Sequence, residues 1–243
     1  MRLDTYLFEN GFFESREKAK KAISDGRISV DGRSVSKCSL DVSNENEIEV
    51  APSEKSEYVG RGGLKLEHAL DYFHINVEGM TAIDIGASTG GFTDCLLRRG
   101  ARKVYAVDIG HEQLHKSLVE DIRVVNLEGV NAREMTIDTV DGSPVMIAVS
   151  DLSFISQKLV IPVVEKVLEK GGIYIILIKP QFEAGREHLN KHGIVKSEKV
   201  RLRVVEDILS FAKNEGYEVI GSTLSPIEGG SGNIEYLAAF KRL

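Results

Sequence analysis

Apolar residues recur along this chain in two rhythms. Near the start the rhythm is short and mixed: Leu3, Tyr6 and Leu7 stand at helical spacing over residues 2–9, and Asn10-Gly11 supplies a stop. Ser15 is placed to cap a second helix, with Ala19, Ala22 and Ile23 as its inner stripe and Arg16, Lys18, Lys20 and Lys21 elsewhere on its surface. Asp31-Gly32 lies between Ile28-Ser-Val30 and Ser34-Val35, a strong hairpin signal, and Ile48-Glu-Val50 alternates as a further strand. Residues 51–58 are polar, contain Pro52 and read as a linker, so the pattern divides the chain into a small helix–helix–hairpin module over 1–58 and a larger domain over 59–243.

The second rhythm is α/β. Leu66, Ala69, Leu70 and Phe73 give a helix over residues 64–73, with Lys65 in its first turn, where a cation opposes the helix dipole. Strand-like runs then fall at 81–85, 103–107, 122–125, 145–149, 172–178, 217–223 and 234–240, with helical patterns at 91–99, 155–169 and 196–214 between them. Seven strands alternating with helices predict a doubly wound α/β sheet. Only a Gly-rich loop, residues 225–232, separates the last two strands. So short a link joins antiparallel neighbours, and a final antiparallel strand results.

Composition narrows the class without naming a function. An apolar content of 42% and a charged content of 28% are ordinary for a soluble globular protein. The longest apolar run, residues 173–178, is far short of the roughly 18 residues that span a bilayer. The first residues include Asp4 and Glu9 and contain no apolar signal region, so a cytoplasmic location without stable membrane association is expected. Cys38 and Cys95 form no paired motif, which argues against a disulfide framework or a zinc site. A net charge of −6 excludes coating of nucleic acid by bulk positive charge. Its distribution is uneven, however: residues 1–37 carry eight basic against six acidic side chains, and residues 38–58 carry one against six. A basic face on the first module is compatible with an acidic whole.

The chemistry gathers around residues 83–91, Ile-Asp-Ile-Gly-Ala-Ser-Thr-Gly-Gly. A buried strand, a glycine loop and the start of a helix aim backbone N–H groups into the crevice where open α/β sheets bind nucleotides. Ser88 takes the middle glycine position of the dinucleotide fingerprint, which weakens a nicotinamide reading. Asp108 closes the second strand of the sheet, where a carboxylate accepts from two vicinal ribose hydroxyls, unless it is a plain strand-end acid. Asp151, Lys179 and Glu235 are each odd as polar residues at the end of, or inside, an apolar run. In a doubly wound sheet the ends of the fourth and fifth strands face the same crevice as the glycine loop.

Two resemblances give these residues roles. The string R-L-D-x-x-L followed by S-R-x-x-A-x-x-x-I-x-x-G-R-I-x-V-D-G-x-x-V-x-K, Arg2 to Lys37, resembles the small RNA-binding domain shared by a small-subunit ribosomal protein, pseudouridine synthases and tyrosyl-tRNA synthetases. This implies docking on structured RNA, with Arg16, Lys20, Arg27, Arg33 and Lys37 as candidate phosphate contacts. No exposed aromatic platform is expected beside them, so a reader of shape and backbone is implied. Asp84 followed by G-x-x-x-G-G, with the antiparallel last strand, resembles the S-adenosylmethionine site of class I methyltransferases. This implies a cofactor held by Asp84, Gly86, Ser88, Gly90, Gly91 and Asp108, with adenine near Val130 and Asn131.

Lys65, Asp151, Lys179 and Glu235, in that chain order, resemble the catalytic tetrad of the FtsJ-type ribose 2′-O-methyltransferases. With the N-terminal module, the full length is similar to the TlyA family, whose members carry both a haemolysin label and ribosomal RNA methyltransferase activity. The resemblance implies methylation of ribosomal RNA, free or in ribosomal subunits. A ribose hydroxyl is a weak acid, so attack on a sulfonium methyl needs its proton removed or its oxyanion stabilised. Lys179 is expected in that role, with Asp151 and Glu235 holding its ammonium and Lys65 completing the network beside the ribose.

Other chemistries fit less well. Asp151-Leu-Ser-Phe154 lacks the paired prolines of base N-methyltransferases, and Cys95 lies far in sequence from the position of a C5-methylating nucleophile. His111/His115 and His188/His192 have i, i+4 spacing but no acidic third ligand at matching spacing, so no metal is expected. Residues 182–193 read as an exposed loop that clamps RNA with Arg186 and Lys191. A haemolysin-like membrane-active protein and a non-catalytic RNA-binding protein are the alternative readings.

Overall fold

The computed structural model describes every residue except Glu14, residues 52–57, Gly230 and Ser231. Most of the expected linker therefore lies outside the described residues. Two compact units form, Met1–Glu57 and Tyr58–Leu243. Tyr58, read above as the end of the linker, packs within the second unit, where its hydroxyl donates to Glu67 at 2.8 Å.

In the first unit, helices Leu3–Glu9 and Arg16–Ser24 precede strands β1 (Ile28–Val30), β2 (Arg33–Ser34) and β3 (Ile48–Val50). The Ser15 side chain caps the second helix by accepting from the Lys18 N–H. Asp31 and Gly32 both take positive φ, 51° and 73°, which the tight β1–β2 turn requires. β1 pairs antiparallel with β2 on one side and β3 on the other. The predicted inner stripes meet here: Leu3, Leu7, Ala19, Ala22, Ile23, Ile28 and Val30 form one buried cluster with Val42.

The second unit is a seven-stranded sheet of β4 (Thr81–Ile85), β5 (Lys103–Asp108), β6 (Val124–Glu128), β7 (Val145–Ser150), β8 (Leu168–Ile178), β9 (Tyr217–Leu224) and β10 (Tyr236–Arg242). Their order is β6-β5-β4-β7-β8-β10-β9, and β10 runs antiparallel to both neighbours. This is the expected class I methyltransferase architecture, doubly wound with its last strand antiparallel. The strands are apolar on both faces because each face is covered. Along β8, Ile176 and Ile178 enter one core layer with Val204, Val205 and Ile208 of helix Glu198–Asn214, while Ile175 and Leu177 enter the other. That second layer includes Leu66, Ala69 and Leu70 of helix Gly62–Tyr72 and Phe92, Cys95 and Leu96 of helix Gly91–Arg98. Strand order reverses between β4 and β7, and the crevice outside their carboxyl ends is where this fold places ligands.

Three local expectations are corrected. The helix expected over 155–169 is a 3-10 turn at Gln157–Leu159 and one α-turn at Ile161–Val164, after which β8 begins at Leu168. Val160, Ile161, Val164 and Val167 are all fully buried, so this stretch is a β-branched plug, poor in helix propensity and interrupted by Pro162. The third strand of the sheet starts at Val124 instead of residue 122, leaving Ile122 97% exposed. The last strand starts at Tyr236, so Glu235 precedes it and lies in the loop that enters it.

Candidate active site

The crevice has two lobes, of about 270 and about 580 Å³, that share Gly86, Ser88, Asp151 and Ser153 in their walls. The floor common to both is the glycine loop. Gly86 has φ +83° and lies so close to the β7 end that a Cβ there would sit 2.7 Å from the Asp151 carbonyl oxygen. A Cβ on Gly91 would be 3.0 Å from both the Gly60 carbonyl and the Gly63 N–H nitrogen, so side chains are excluded where the two helix starts approach. Ser88 takes φ 49°. Gly90 also has positive φ, 93°, and caps helix Gly91–Arg98 without lining either lobe.

The larger lobe sets one acid against an apolar wall. Asp108 ends β5 and lines it, with one oxygen accepting the Ser88 N–H at 2.8 Å and the other the Gly110 N–H at 2.7 Å. Each oxygen keeps a lone pair for a further donor. Val107, Val130, Leu152 and Ile155 supply apolar wall. Asn131 also lines the lobe, but its side chain caps a 3-10 turn through Arg133 and bonds Glu134. Beyond Asp108, the Glu128 carboxylate accepts the backbone N–H groups of Leu114, Gln113 and Glu112. These bonds hold its acid down at about 2 and fix the turn that brings Gln113 to the wall.

Asp84 departs from its expected place. It is fully buried and outside the lining of both lobes, with one oxygen accepting the Thr93 hydroxyl at 2.7 Å. The side chain braces the base of the glycine loop against helix Gly91–Arg98 and does not present itself to a ligand. Burial, without a cation partner, pushes its acid up to about 7.

All four residues of the expected tetrad line the smaller lobe. They form two ion pairs. Lys65, only 7% exposed, pairs with Glu235 at 2.6 Å, and Lys179 pairs with Asp151 at 2.7 Å. The expectation that Glu235 holds the Lys179 ammonium is corrected accordingly. Two partners were missed in the sequence: Ser153 accepts from Lys179 at 2.9 Å, and Gln181 donates to the second Glu235 oxygen at 3.2 Å. Both sit two residues beyond a recognised site residue, Ser153 after Asp151 and Gln181 after Lys179, and that proximity was the available signal. Among the described residues, no group of three His, Cys, Asp or Glu side chains is arranged to hold a metal ion.

On the first unit, Lys20, Arg33 and Lys37 are exposed. Arg16 is exposed too and donates to the wholly buried Asp4 at 2.9 Å, and half-buried Arg27 donates to the Ala51 carbonyl while lying over the Phe13 ring at 5.9 Å. Two aromatic side chains of this unit are partly exposed, Phe8 at 43% and Phe12 at 45%, off the stripe that Leu3 and Leu7 bury. Residues 182–193 are partly ordered rather than a plain loop, with an α-turn at Pro180–Glu183 and a 3-10 turn at Arg186–His188.

Comparison with known proteins agrees with this division. Residues 58–242 match the FtsJ-like methyltransferase family, and residues 1–48 match the S4 domain family. The chain is 43% identical over 99% of its length to a protein named Hemolysin A from Brachyspira hyodysenteriae, covering 99% of that protein. It is 39% identical over 97% of its length to the 16S/23S rRNA (cytidine-2′-O)-methyltransferase TlyA of Mycobacterium tuberculosis (strain ATCC 25618 / H37Rv), covering 87% of it. Among solved structures, a putative hemolysin from Streptococcus thermophilus superposes with a TM-score of 0.76 at 42% identity, over 100% of this chain and 88% of that one.

Proposed function

This chain belongs to the FtsJ-like methyltransferase family, and from that premise we propose that it transfers a methyl group from S-adenosylmethionine to a ribose 2′-hydroxyl of ribosomal RNA. The observation that carries the reading is the pair of inward lysines, each matched to a carboxylate, on the same lobe as the glycine loop. The relative named as a 16S/23S rRNA (cytidine-2′-O)-methyltransferase, and the S4 match, support ribosomal RNA as the substrate and hence a cytoplasmic site of action.

The residues fit the cofactor. Gly86 and Gly91 leave a floor free of side chains, Ser88 gives that floor its left-handed turn, and Asp108 offers two pre-oriented oxygens to a ribose diol. S-adenosylmethionine, when bound, supplies an electrophilic methyl group on a sulfonium. Lys179, held by Asp151 and Ser153, orients the acceptor hydroxyl and stabilises the oxyanion that develops as the oxygen takes the methyl group and its proton passes to solvent. Lys65, held by Glu235, places a second positive charge beside the reacting oxygen, and Gln181 keeps Glu235 in register. The S4 module docks on the RNA through Lys20, Arg33 and Lys37, with Arg16 and Arg27 contributing only what their internal bonds leave available.

Lys179→Ala is the test. Methyl transfer to ribosomal subunits is expected to fall by about 10³-fold while S-adenosylhomocysteine still binds by calorimetry. Full activity of that variant sinks the mechanism. The haemolysin names of the relatives motivate a second reading, a membrane-active protein. Among the described residues no helix is long and apolar enough to cross a membrane, and purified protein is expected to cause no leakage from liposomes. Methyl transfer by the wild-type chain likewise separates the enzyme from a non-catalytic RNA-binding protein.

A further inference from the structure

Between the ends of β7 and β8 runs a chain of polar contacts that methyl transfer does not itself use. The Tyr174 and Ser150 hydroxyls lie 3.0 Å apart in the core, and Ser150 donates to the Gln157 side-chain oxygen at 3.2 Å. Gln157, 2% exposed, donates its side-chain amide to the Leu177 carbonyl at 3.0 Å. The chain ends on Glu183, whose two oxygens accept the Ser156 hydroxyl at 2.6 Å and the Gln157 backbone N–H at 2.8 Å. Desolvation pushes the Glu183 acid upward, and these two bonds oppose the shift. A carboxyl group held at such a cost, eased by these two bonds and by the nearby Lys158 charge, is retained for what it ties together.

What it ties together is specific. Glu183 closes the helical turn that begins immediately after Lys179, and Ser156 and Gln157 end the loop that begins at Asp151. The start of that loop is pinned by the Asp151 N–H to the Ile85 carbonyl at 3.1 Å. Between the pins, Ser153 bonds Lys179, and Phe154 is 90% exposed at φ +64°, a conformation unfavourable for an aromatic residue. The loop lines both lobes and meets the turn after Lys179 at three places: the Ser153 bond to Lys179, the Phe154 ring packed on Phe182 at 5.0 Å between centroids, and the Ser156 and Gln157 bonds to Glu183.

We propose that Glu183 is a positioning residue: by holding Ser156 and Gln157 together, it fixes the loop carrying Asp151 and Ser153 against the turn carrying Lys179, and so sets the geometry of the Lys179 ammonium. The proposal rests on the methyl-transfer reading for its functional consequence but not for its structural one. Two readouts therefore separate the two. In the full-length chain, E183A is expected to lower kcat on ribosomal subunits about 100-fold, the loss typical of an ångström-scale misplacement. Its S-adenosylhomocysteine affinity and its KM for RNA should change by no more than about threefold. E183Q should stay within about threefold of wild type, because the Ser156 hydroxyl can reverse and accept from the amide. S156A, which removes one of the two bonds together with the Ser156 cap on the Lys158 N–H, should lie between them at about tenfold.

The second readout needs no turnover. Acylation of the Lys179 amine, mapped by peptide mass spectrometry, should speed up roughly tenfold in E183A and S156A and stay at the wild-type rate in E183Q. Unchanged Lys179 reactivity in E183A, a wild-type kcat in E183A, or an E183Q as slow as E183A overturns the proposal. Absence of methyl transfer by the wild-type chain overturns the functional reading alone and leaves the acylation result to decide the brace.

Discussion

Each unit of the molecule buries one aspartate completely, and the two are treated in opposite ways. Asp4 in the first unit accepts from Arg2 at 3.0 and 3.2 Å and from Arg16 at 2.9 Å, and these bonds hold its acid well below the usual carboxylate range. Asp84 in the second unit accepts from the hydroxyl and the backbone N–H of Thr93, and burial pushes it up to about 7. Both side chains are closed to solvent, but Asp84 lies far deeper, so burial raises its acid while the arginine bonds lower that of Asp4. In the first, two arginines pair with an internal acid, while Lys20, Arg33 and Lys37 face water. In the second, the lysines turn inward to a cleft, each with its own carboxylate, and the acid beneath the glycine loop is left without a cation.

That contrast can be broken by substitution. The largest effect is expected for Lys65→Met, which keeps the chain length and removes the inward charge: methyl transfer should fall by about 10³-fold with RNA affinity unchanged, and equal losses in both would erase the distinction between the units.

Next is Asp84→Asn, read by urea denaturation across pH. Below about pH 4 the folded and unfolded forms both hold the Asp84 proton. Between about 4 and 7 the folded form keeps a proton the unfolded form has released, so this residue's contribution to stability falls as pH rises and is lost above about 7. Asn removes the dependence, and the variant should gain roughly 3 kcal/mol relative to wild type between pH 5 and pH 8.5. A constant difference across that range would mean that Asp84 is already ionised.

Asp4 carries the opposite sign. Its stabilisation is full above about pH 4 and is lost as pH falls towards its depressed folded value. Asp4→Ala should destabilise the first unit by on the order of 2 kcal/mol at neutral pH, with the two arginines rehydrating to limit the loss, while S-adenosylhomocysteine affinity stays the same. The smallest effects belong to the outward cations. Arg33→Ala and Lys37→Ala should each weaken RNA binding a few-fold and reduce its salt dependence by about one unit of slope. A variant that loses affinity without a change in slope is not a phosphate contact.

The parts of the fold that were legible in the sequence are those set by a single periodicity. The β4, β5, β7 and β8 runs announce themselves because a sheet covered on both faces needs unbroken apolar strands, and Asp108, Asp151 and Lys179 stand out because each interrupts or ends one. Residues 160–167 misled because a buried plug of valine and isoleucine has the apolar spacing of a helix without its propensity. Partnerships were legible only in part: Asp151 was expected to hold Lys179 and does so at 2.7 Å. Lys65 and Glu235 meet across 170 positions, and nothing in the local sequence of either says that Glu235 serves Lys65 and not Lys179. The same holds for Arg16, whose pairing with the buried Asp4, while 43% of its side chain stays exposed, could not be read from its basic character. Asp84 was identified by its motif, but motifs record residue type and not depth, so its place beneath the loop needed the packing of Thr93 and the second core layer to become visible.

The central claim is that this cleft methylates a ribose hydroxyl, and the chemistry of the product tests it most directly. Ribosomal subunits incubated with the full-length chain and methyl-labelled S-adenosylmethionine are expected to yield label in alkali-resistant dinucleotides, since a 2′-O-methyl group blocks the hydroxyl that alkaline cleavage needs. Label recovered only in alkali-released mononucleotides, as base methylation would give, or no incorporation at all, contradicts the account.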